Sequence, residues 1–404
     1  MITADSLRDW QVDLTLTAGQ VDLNNCDREP IHIPGAIQPH GLLLTLDPEQ
    51  FTILQVSDNS AFHLGLSPEQ LLGCRIDQWF SPSLSSKIQG ALAQDFEHIN
   101  PISVLYYYRA SGTSDSTQVY PGVSLSTSGE AASASREKKL EQASERTLEQ
   151  TLEQTFNAIV HRTGEVVVLE LEPVTEQYSP ASFFDFYSSI KVPLNRLQAA
   201  QTTSEICEVV TQEVRRICQF DRVMIYRFEE DGSGYVLAES RRDDLEPFLG
   251  LHYPDSDIPK QAKQLYIRNK LRIIPDIRYE PAALIPPLNP LTQQPTDLSD
   301  AALRSVSPLH LEYLGNMGVS ASMSISIVQD GNLWGLIACH HGSPHLVGYE
   351  LRTVCEFLGQ VTAIEIAAKE KNESLDYRMS LNQIQTHLIQ ASAQAKNLIQ
   401  AIAK

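Results

Sequence analysis

The order of apolar and polar residues along the first part of the chain predicts an α+β domain. Runs of apolar or alternating residues that end in turn residues predict strands at 42–46, 51–56, 102–108 and 166–171. Between them, short helices are predicted at 60–66 and 68–72. Short strands and helices mixed in this way indicate a small α+β domain that ends near residue 175.

A polar insertion interrupts this domain. Residues 109–136 are rich in Ser, Thr, Gly and Ala, and the following residues repeat Thr-Leu-Glu-Gln. Such a composition buries few side chains, so we predict that residues 109–155 form a solvated or partly disordered excursion without chemistry. We therefore divide this part of the chain into an N-terminal arm, 1–19, and a domain, 20–175.

A second α+β domain is predicted over residues 180–370. It begins with an amphipathic helix at 202–218, followed by strands at 222–228 and 234–238 around an Asp-Gly-Ser-Gly turn. A helix near 261–268 and a hairpin over 318–339 complete the pattern. The proline-rich loop 279–299 is long for a compact domain, and such loops are usually functional.

The chain ends in a long predicted helix, with residues 371–404 extending beyond the second domain. Its apolar positions are spaced three and four residues apart: Leu381, Ile384, Leu388, Ala391, Ala395, Leu398 and Ile402. This heptad pattern predicts pairing with a second copy of the chain, and hence a homodimer. Because the pattern continues to the last residues, we expect the natural protein to extend further.

Composition and charge narrow the class of function. Hydrophobic residues make up 42% of the chain and the formal net charge is −19, which argues against partners such as nucleic acid and anionic membranes. The sequence shows no signal peptide and no apolar stretch of about 20 residues, so we expect a cytoplasmic protein. The six cysteines have no metal-ligand spacing, and no metal site or catalytic motif is predicted.

The stretch His-Tyr-Pro-Asp-Ser-Asp-Ile-Pro, residues 252–259, is the first candidate for chemistry. Its two prolines restrict the backbone, and they favour a stiff loop that presents Asp257 beside Ile258. An ordinary surface turn is the alternative, since Asp and Pro are common in turns.

Several polar residues of the second domain suit a ligand with carboxylates. Arg272 and Arg304 lie among apolar residues, and arginine binds carboxylates through two charge-assisted hydrogen bonds. Serines alternate with apolar residues along 319–327, which places hydroxyls on one face of a strand, although simple solvent exposure is the alternative. Imidazoles and phenols add to this set: His310, His340, Tyr226, Tyr253, Tyr266 and Tyr313.

Several of these motifs together resemble the phytochrome family. They are Cys26 followed by PIHIPGAIQPHG, then YPDSDIP, LRSVSPLHLEYLGNMGVSASMSISI and LWGLIACHHGSP. The resemblance implies a PAS domain at 20–175, a GAF domain at 180–370 and a helix leading to a missing PHY domain. It also implies a figure-of-eight knot, in which residues 33–39 pass through a lasso formed by 279–299.

One position departs from the plant-type pattern and changes the expected chromophore. The resemblance puts an attachment cysteine just before His310 in plant phytochromes, but Leu309 stands there. The bacteriophytochrome pattern instead places the cysteine at Cys26, which implies biliverdin IXα attached through a thioether. The alternatives are that Cys26 is an inert thiol, or that the chain binds phycocyanobilin without a covalent bond.

The resemblance also assigns roles to the remaining candidates. Asp257, His310, His340, Tyr226 and Tyr253 would surround the bilin core and take part in photoconversion. The propionates would be held by Arg272, Arg304, Tyr266, Ser307, Ser322 and Ser324. The rings would pack against Phe248, Ile258, Pro259, Met317 and Tyr313.

The implied function is a red/far-red photoreceptor that isomerises the C/D methine bridge of its bilin. This chain would not itself be an enzyme, and the intact protein would be a light-regulated sensor histidine kinase acting on a response regulator. Two other classes remain open. A GAF-type sensor of cyclic nucleotides would leave Cys26 and Asp257 without a role, and an enzyme of bilin metabolism would need a redox cofactor site, which the sequence does not show.

Overall fold

The computed structural model describes residues 25–81, 83–92, 101–109, 151–174 and 183–394. The chain divides into two compact units. The seven-stranded unit comprises His32–Ser179 and Tyr279–Ser307, and the six-stranded unit comprises Met1–Ile31, Pro180–Arg278 and Pro308–Lys404. Both are mixtures of helices and antiparallel sheet, so the predicted α+β class is confirmed.

The seven-stranded unit is an antiparallel sheet with the strand order β1-β11-β3-β2-β6-β5-β4. The strands are β1 Ala36–Ile37, β2 Leu42–Leu46, β3 Ile53–Ser57, β4 Ile102–Arg109, β5 Thr151–Thr163, β6 Val166–Pro173 and β11 Ala282–Ile285. The short helices are α1 Ser60–Leu64, α2 Pro68–Leu71 and α3 Leu84–Leu92, with a 3-10 turn at Ile76–Gln78.

The central strands of this sheet are apolar on both faces. Leu42 and Leu44 on β2 belong to the main core with the short helices, whereas Leu43 points to the opposite face with Val168. That second face is covered by apolar residues of the segment that contains β1 and of the 279–307 segment: Ile37, Ala282, Leu284, Leu298, Ala301 and Leu303. The predicted loop 279–299 is therefore partly strand, since β11 pairs with β1 and β3.

The strand β5 corrects the predicted end of the insertion. It begins at Thr151 and pairs with β4 and β6, so residues 151–155 belong to the sheet and not to a solvated tract. Phe156, Ala158 and Val160 alternate into the core and hold the strand in register. The middle of the predicted insertion, 110–150, and the predicted arm, 1–19, lie outside the described residues.

The six-stranded unit is an antiparallel sheet with the order β10-β12-β13-β7-β8-β9. Its strands are β7 Arg222–Phe228, β8 Gly234–Arg241, β9 His252–Tyr253, β10 Leu271–Ile274, β12 Ala321–Gln329 and β13 Asn332–His341. Its helices are α4 Phe183–Ala199, α5 Thr203–Cys218, α6 Lys260–Arg268, α7 Pro308–Asn316 and α8 Tyr349–Gln394, with 3-10 turns at Cys26–Arg28 and Asp255–Asp257.

One face of this sheet packs against helices α5 and α8, and α4 packs against these two helices. The predicted amphipathic helix is confirmed as α5, which begins after the N-cap Thr202 and buries Ile206, Val210 and Val214. Val223, Ile225, Met323 and Ile337 belong to the same core from the sheet side. Because side chains alternate along a strand, the residues between them point to the other face.

The helix α8 leaves the core part-way along its 46 residues. Its last fully buried side chain is Ile366, and all residues from 371 to 390 are exposed. At this point Glu370 accepts a hydrogen bond from the Trp334 indole at 3.0 Å and an ion pair from Arg227 at 3.4 Å. Leu381, Ile384 and Leu388 of the predicted seam are exposed, and the seam beyond residue 394 lies outside the described residues. Among the helices described, none combines the length and hydropathy needed to cross a bilayer.

Candidate functional site

Hydroxyl, guanidinium and imidazole groups share the face of the six-stranded sheet that points away from the helices. In the strand register, Arg272 of β10 lies opposite Ser324 of β12, and Ser322 lies opposite His340 of β13. Ser322 and Ser326 are buried, so the serine face is not the solvent-exposed edge that was the alternative explanation. A buried polar face needs hydrogen-bond partners, because leaving such groups unpaired is costly.

Tyr226 continues this polar face on β7, opposite Leu336 of β13. The backbone turn beside it leaves room for the phenol, since a Cβ on Gly234 would lie only 2.4 Å from the Tyr226 ring. Tyr253 of β9 pairs with Gly234 and its ring lies 5.9 Å from that of Tyr226. The Asp-Gly-Ser-Gly turn thus connects the two strands of the hairpin, and its last glycine leaves space for the Tyr226 ring.

An apolar cluster gathers four of the predicted site residues. Tyr226 forms its centre with Phe228, Leu333 and Leu336, and the remaining members pack against it: Tyr253, Ile258, Tyr266, Ile267 and Val328. Residues from β7, β9 and α6 therefore meet beside the polar face, although they are up to 41 positions apart in the sequence. Aromatic walls with a few polar groups are typical of small-molecule sites.

Asp257 lies on a single 3-10 turn between Pro254 and Pro259. The Tyr313 hydroxyl of α7 donates a hydrogen bond to its carboxylate at 3.2 Å. Burial, followed by the Asp257 charge, raises the pKa of the Tyr226 and Tyr313 phenols, which keeps both phenols protonated as donors. The predicted stiff loop is thus a two-residue edge strand followed by one short 3-10 turn, and the Asp257 carboxylate is held by α7.

Two neutral imidazoles lie within this set. Burial and then the Arg272 charge lower the pKa of His310 to about 4. Burial, then Arg222 and His310, lower the pKa of His340 to about 4. His310 stacks on Tyr313 with ring centroids 6.3 Å apart. The interactions place both histidines near the arginines, uncharged at neutral pH and able to donate or accept.

Two buried atoms of this face have no partner among the described residues. They are Nδ1 of His340 and the hydroxyl oxygen of Ser326. Buried polar groups are nearly always hydrogen-bonded, so these two atoms are available to bond with a molecule bound at this face. The described residues contain no set of three or more His, Cys, Asp or Glu side chains arranged to hold a metal ion.

Cys26 lies against the helix that follows Asp257. It begins the 3-10 turn Cys26–Arg28, and its carbonyl accepts a hydrogen bond from the Gln261 amide of α6. Burial, followed by the Asp27 charge, raises the pKa of the Cys26 thiol. The cysteine is partly exposed, and the structure therefore places a reachable sulfur beside α6.

The predicted packing residues outside the apolar cluster lie at defined positions in the fold. Phe248 lies under the Arg222 guanidinium, 3.7 Å from its ring centroid, and Arg222 is ion-paired with Glu239. Pro259 is the residue before the first turn of α6, and Met317 follows the end of α7. Arg222 and Glu239 were not among the predicted site residues. Arg222 begins one predicted strand and Glu239 directly follows the next, but nothing in the sequence indicated that both side chains would be buried.

Two predicted propionate residues fall in the other unit. Arg304 and Ser307 belong to the seven-stranded unit, where the Arg304 guanidinium donates to the carbonyls of Leu298 and Ser299 at 3.4 and 3.1 Å. Arg304 also bridges Ile37 through its backbone. Its guanidinium thus has bonds within its own unit, whereas Arg272 lies on the polar face.

Comparison with known proteins gives this site its context. Residues 26–120 and 124–174 match the PAS fold, and residues 202–368 match the GAF domain. The chromophore-binding domain of a bacteriophytochrome from R. palustris is 39% identical with a TM-score of 0.70, and the match covers 86% of this chain and 99% of that one. This chain belongs to the phytochrome family.

Other phytochromes agree with this assignment. Cyanobacterial phytochrome B of Nostoc sp. is 43% identical over 384 residues, which are 95% of this chain and 46% of that protein. The bacteriophytochrome of Pseudomonas aeruginosa is 37% identical over 95% of this chain and 46% of its own length. The chain thus spans about half the length of the curated phytochromes it matches, and it corresponds to their PAS–GAF chromophore-binding module.

Proposed function

We propose that this chain is the light-sensing module of a red/far-red photoreceptor that binds biliverdin IXα covalently at Cys26. The observation that carries the proposal is the buried polar face beside Asp257, with orphaned atoms on His340 and Ser326. A linear tetrapyrrole offers the N–H groups, carbonyls and carboxylates that such a face lacks. When bound, it would supply light absorption and isomerisation of its C/D methine bridge.

The residues fit this ligand in three groups. Arg272, with Ser322, Ser324 and Tyr266, would hold propionates through charge-assisted bonds. Neutral His310 and His340 would hydrogen-bond the tetrapyrrole core and its terminal carbonyl. The aromatic and apolar walls would come from the packing residues: Tyr226, Tyr253, Phe248, Ile258, Pro259, Met317 and Tyr313.

Asp257 would provide the negative charge of the site. A carboxylate beside pyrrole nitrogens favours their protonated, cationic form, because an opposite charge shifts a pKa toward the charged state. The protonated phenols of Tyr226 and Tyr313 hold donors around the same carboxylate. The family resemblance adds that Asp257 accepts the D-ring N–H after illumination. It also adds Arg304 and Ser307 as propionate partners.

The test is to add biliverdin to the purified chain and to its Cys26→Ser variant. We expect both to give the red absorbance band of a bound bilin, but only the unmodified chain to give a zinc-fluorescent band after denaturing electrophoresis. A fluorescent band in the variant would contradict attachment at Cys26. Absence of a red band in both would contradict bilin binding. Addition of phycocyanobilin, with the same two readouts, tests the non-covalent alternative.

We also propose the figure-of-eight knot that the resemblance implies. The support is that residues 36–38 are hydrogen-bonded on two sides by the 279–307 segment. Ala36 and Ile37 pair with β11, while the Gln38 amide donates to Leu303 at 2.7 Å and the Ser305 amide donates to Ala36 at 3.1 Å. An experimental structure that traces residues 25–40 and 279–307 would test the crossing.

For the intact protein, we propose a histidine kinase output that acts on a response regulator, reached through a PHY domain. The exposed seam on α8 supports a homodimer, since Leu381, Ile384 and Leu388 have no apolar cover within the described chain. Sedimentation of this chain and of a form ending near residue 376 tests the dimer. Equal masses would contradict pairing through the seam.

A further inference from the structure

Two polar side chains are buried on helix α6, and neither belongs to the apolar cluster or to the serine face. Gln261 and Lys263 are each only 1% exposed. Glutamine and lysine are seldom buried to this degree unless the fold uses them. Each reaches a different part of the proposed site.

Gln261 connects α6 to the turn that carries Cys26. Its amide nitrogen donates to the Cys26 carbonyl, and the turn itself buries no residue. A three-residue turn without buried side chains has little apolar packing to hold it, so its hydrogen bonds set its position. The amide oxygen of Gln261 is buried and has no hydrogen-bond partner among the described residues, so the fold leaves it free to accept from a bound molecule.

Lys263 connects α6 to the turn that carries Asp257. Its ammonium is ion-paired with Asp255 and donates to the Gly232 carbonyl at 2.9 Å. Gly232 has φ of +90°, and a Cβ there would lie 2.2 Å from the Asp255 carboxylate, so the backbone is shaped around this contact. Asp255 and Asp257 share one 3-10 turn, and fixing one therefore orients the other.

We propose that α6 aligns the two reactive parts of the site separately: Gln261 positions Cys26 for attachment, and Lys263 positions Asp257 against the bilin. The proposal rests on the proposed function. Both are positioning residues, because each acts through another residue: Gln261 through the main chain of Cys26, and Lys263 through Asp255. The two roles are separate because the two side chains bond to different turns, which are more than 200 residues apart in the sequence.

The attachment arm uses Gln261→Leu. A hydrogen bond is worth about 1 kcal/mol net, so attachment should slow by about fivefold. The measurement is the growth of the zinc-fluorescent band with biliverdin in excess. In the Cys26→Ser background, where the bilin binds without a covalent bond, adding Gln261→Leu should leave the absorbance of the complex unchanged. Gln261→Glu keeps the shape but removes the donor, and it should slow attachment as well.

A matched control exists in the same unit. Gln329 is also buried, and its amide donates to the Ala363 carbonyl at 3.3 Å. Gln329→Leu removes an equivalent bond far along the sheet, and we expect attachment at the rate of the unmodified chain. Equal slowing in both variants, or no slowing in either Gln261 variant, would overturn the role of Gln261.

The alignment arm uses Lys263→Met and reads the pH at which the bound bilin loses its red band. If Lys263 acts by holding the Asp257 turn, its loss moves the carboxylate away from the bilin and lowers this midpoint by about 0.5–1 pH unit. If the lysine acted only as a nearby positive charge, its removal would raise the midpoint. The direction of the shift thus separates alignment from simple electrostatics.

Conservative replacement completes the design. Lys263→Arg should restore the midpoint, and Lys263→Met should attach bilin at the rate of the unmodified chain. An unchanged or raised midpoint in Lys263→Met would overturn the role of Lys263. Failure of the proposed function has a different signature, because the unmodified chain would then show neither a red band nor a fluorescent band.

Discussion

The two sheets of this phytochrome bury both of their faces, but they use the second face differently. In the seven-stranded unit the second face is mostly apolar, and several of its polar groups bond within the chain itself. Glu170 accepts from the amides of Ala302 and Leu303 at 3.2 and 2.7 Å, and Gln55 accepts from Thr296 at 2.5 Å. In the six-stranded unit the second face carries arginine, serine and histidine, and two of its atoms have no partner among the described residues.

The two second faces therefore differ in composition: one is mostly apolar and is covered by the chain, and the other is polar and is the face on which we expect a ligand. The 279–307 segment covers the apolar face of the seven-stranded sheet with Leu284, Leu298 and Leu303. On the polar face of the other sheet, the unpaired groups remain costly until a ligand satisfies them. We expect the first face to govern stability and the second to govern binding.

The largest expected effect comes from changing the polarity of one buried residue on each face. Leu43→Ser places a hydroxyl on the apolar face and should destabilise the seven-stranded unit by about 3–5 kcal/mol, since it removes buried apolar volume. Ser326→Ala removes an unpaired hydroxyl and should change stability by no more than about 1 kcal/mol, in either direction. Urea unfolding of the apoprotein measures both. Similar losses in the two variants would remove the distinction.

The two arginines give the next largest effect. Arg272→Ala should weaken bilin binding by about 10- to 100-fold, the value of a charge-assisted bond of about 1.5–3 kcal/mol, and lower the free energy of apoprotein unfolding by less than it weakens binding. Arg304→Ala should also lower the free energy of unfolding, because Arg304 donates to the Leu298 and Ser299 carbonyls. Bilin titration and urea unfolding separate the two. An Arg272→Ala apoprotein that is as destabilised as its affinity is weakened would make Arg272 structural.

Removing the carboxylate of Asp257 should affect photochemistry more than binding. Asp257→Asn keeps the shape of the turn, so we expect the bilin to attach at Cys26. After illumination, the amount of stable photoproduct should be at least about tenfold lower and the fluorescence stronger. Illumination with red light followed by absorbance spectra provides the measurement. Photoconversion to the same product as the unmodified chain would exclude the role, and loss of bilin binding would make Asp257 a structural residue.

The neutral histidines predict a pH dependence of the apoprotein. The pKa of His310 and of His340 is about 4, below the ordinary value near 6.5, so the unfolded chain binds protons that the folded chain excludes. Their contribution to stability is complete above pH 6.5 and is lost as the pH falls toward 4. Urea unfolding between pH 7.5 and 5 should show this decline, with a shallower decline in His340→Gln. Equal slopes would contradict a buried neutral imidazole.

The smallest predicted effect concerns the attachment rate. The pKa of Cys26 is raised by burial and then by the Asp27 charge, so little thiolate is present at neutral pH. Attachment should accelerate by about tenfold per pH unit below that pKa, and Asp27→Asn should accelerate it by about twofold at pH 7. Arg28→Gln removes the cation that pairs with Asp27, so it should not accelerate attachment. Attachment that is independent of pH would indicate a rate limit other than thiolate formation.

Much of the fold was readable from local patterns. The helix α5 follows from helical apolar spacing and β12 from its alternation of serine and apolar residues, whereas β2 and β7 follow from short apolar runs. Strand β5 was missed because it begins in polar residues, although Phe156, Ala158 and Val160 alternate as a strand should. The pairing of β11 with β1 could not be read at all, since it joins segments about 245 residues apart.

The residue types of the site were predictable from the sequence, but their arrangement was not. Arg272, the serines and His340 were identified by residue type, but the register that places Ser322 opposite His340 is a property of the folded sheet. Gln261 and Lys263 were passed over because polar residues on a short helix usually face water. Gln261 precedes the buried Leu265 by four positions, the helical spacing that would have placed it on the inner face.

Helix α8 is held to the sheet at Glu370, and the rest of the helix extends beyond this point, so a small rotation there becomes a large displacement at its far end. At about 1.5 Å per residue, the stretch from Lys371 to Gln394 extends about 36 Å beyond the last contacts with the sheet. Arg227, which pairs with Glu370, is the next residue on β7 after Tyr226, so the fulcrum and the aromatic wall share one strand. A tilt of about 5° at this fulcrum would displace the far end of the helix by about 3 Å, enough to change how two side-chain rows interlock.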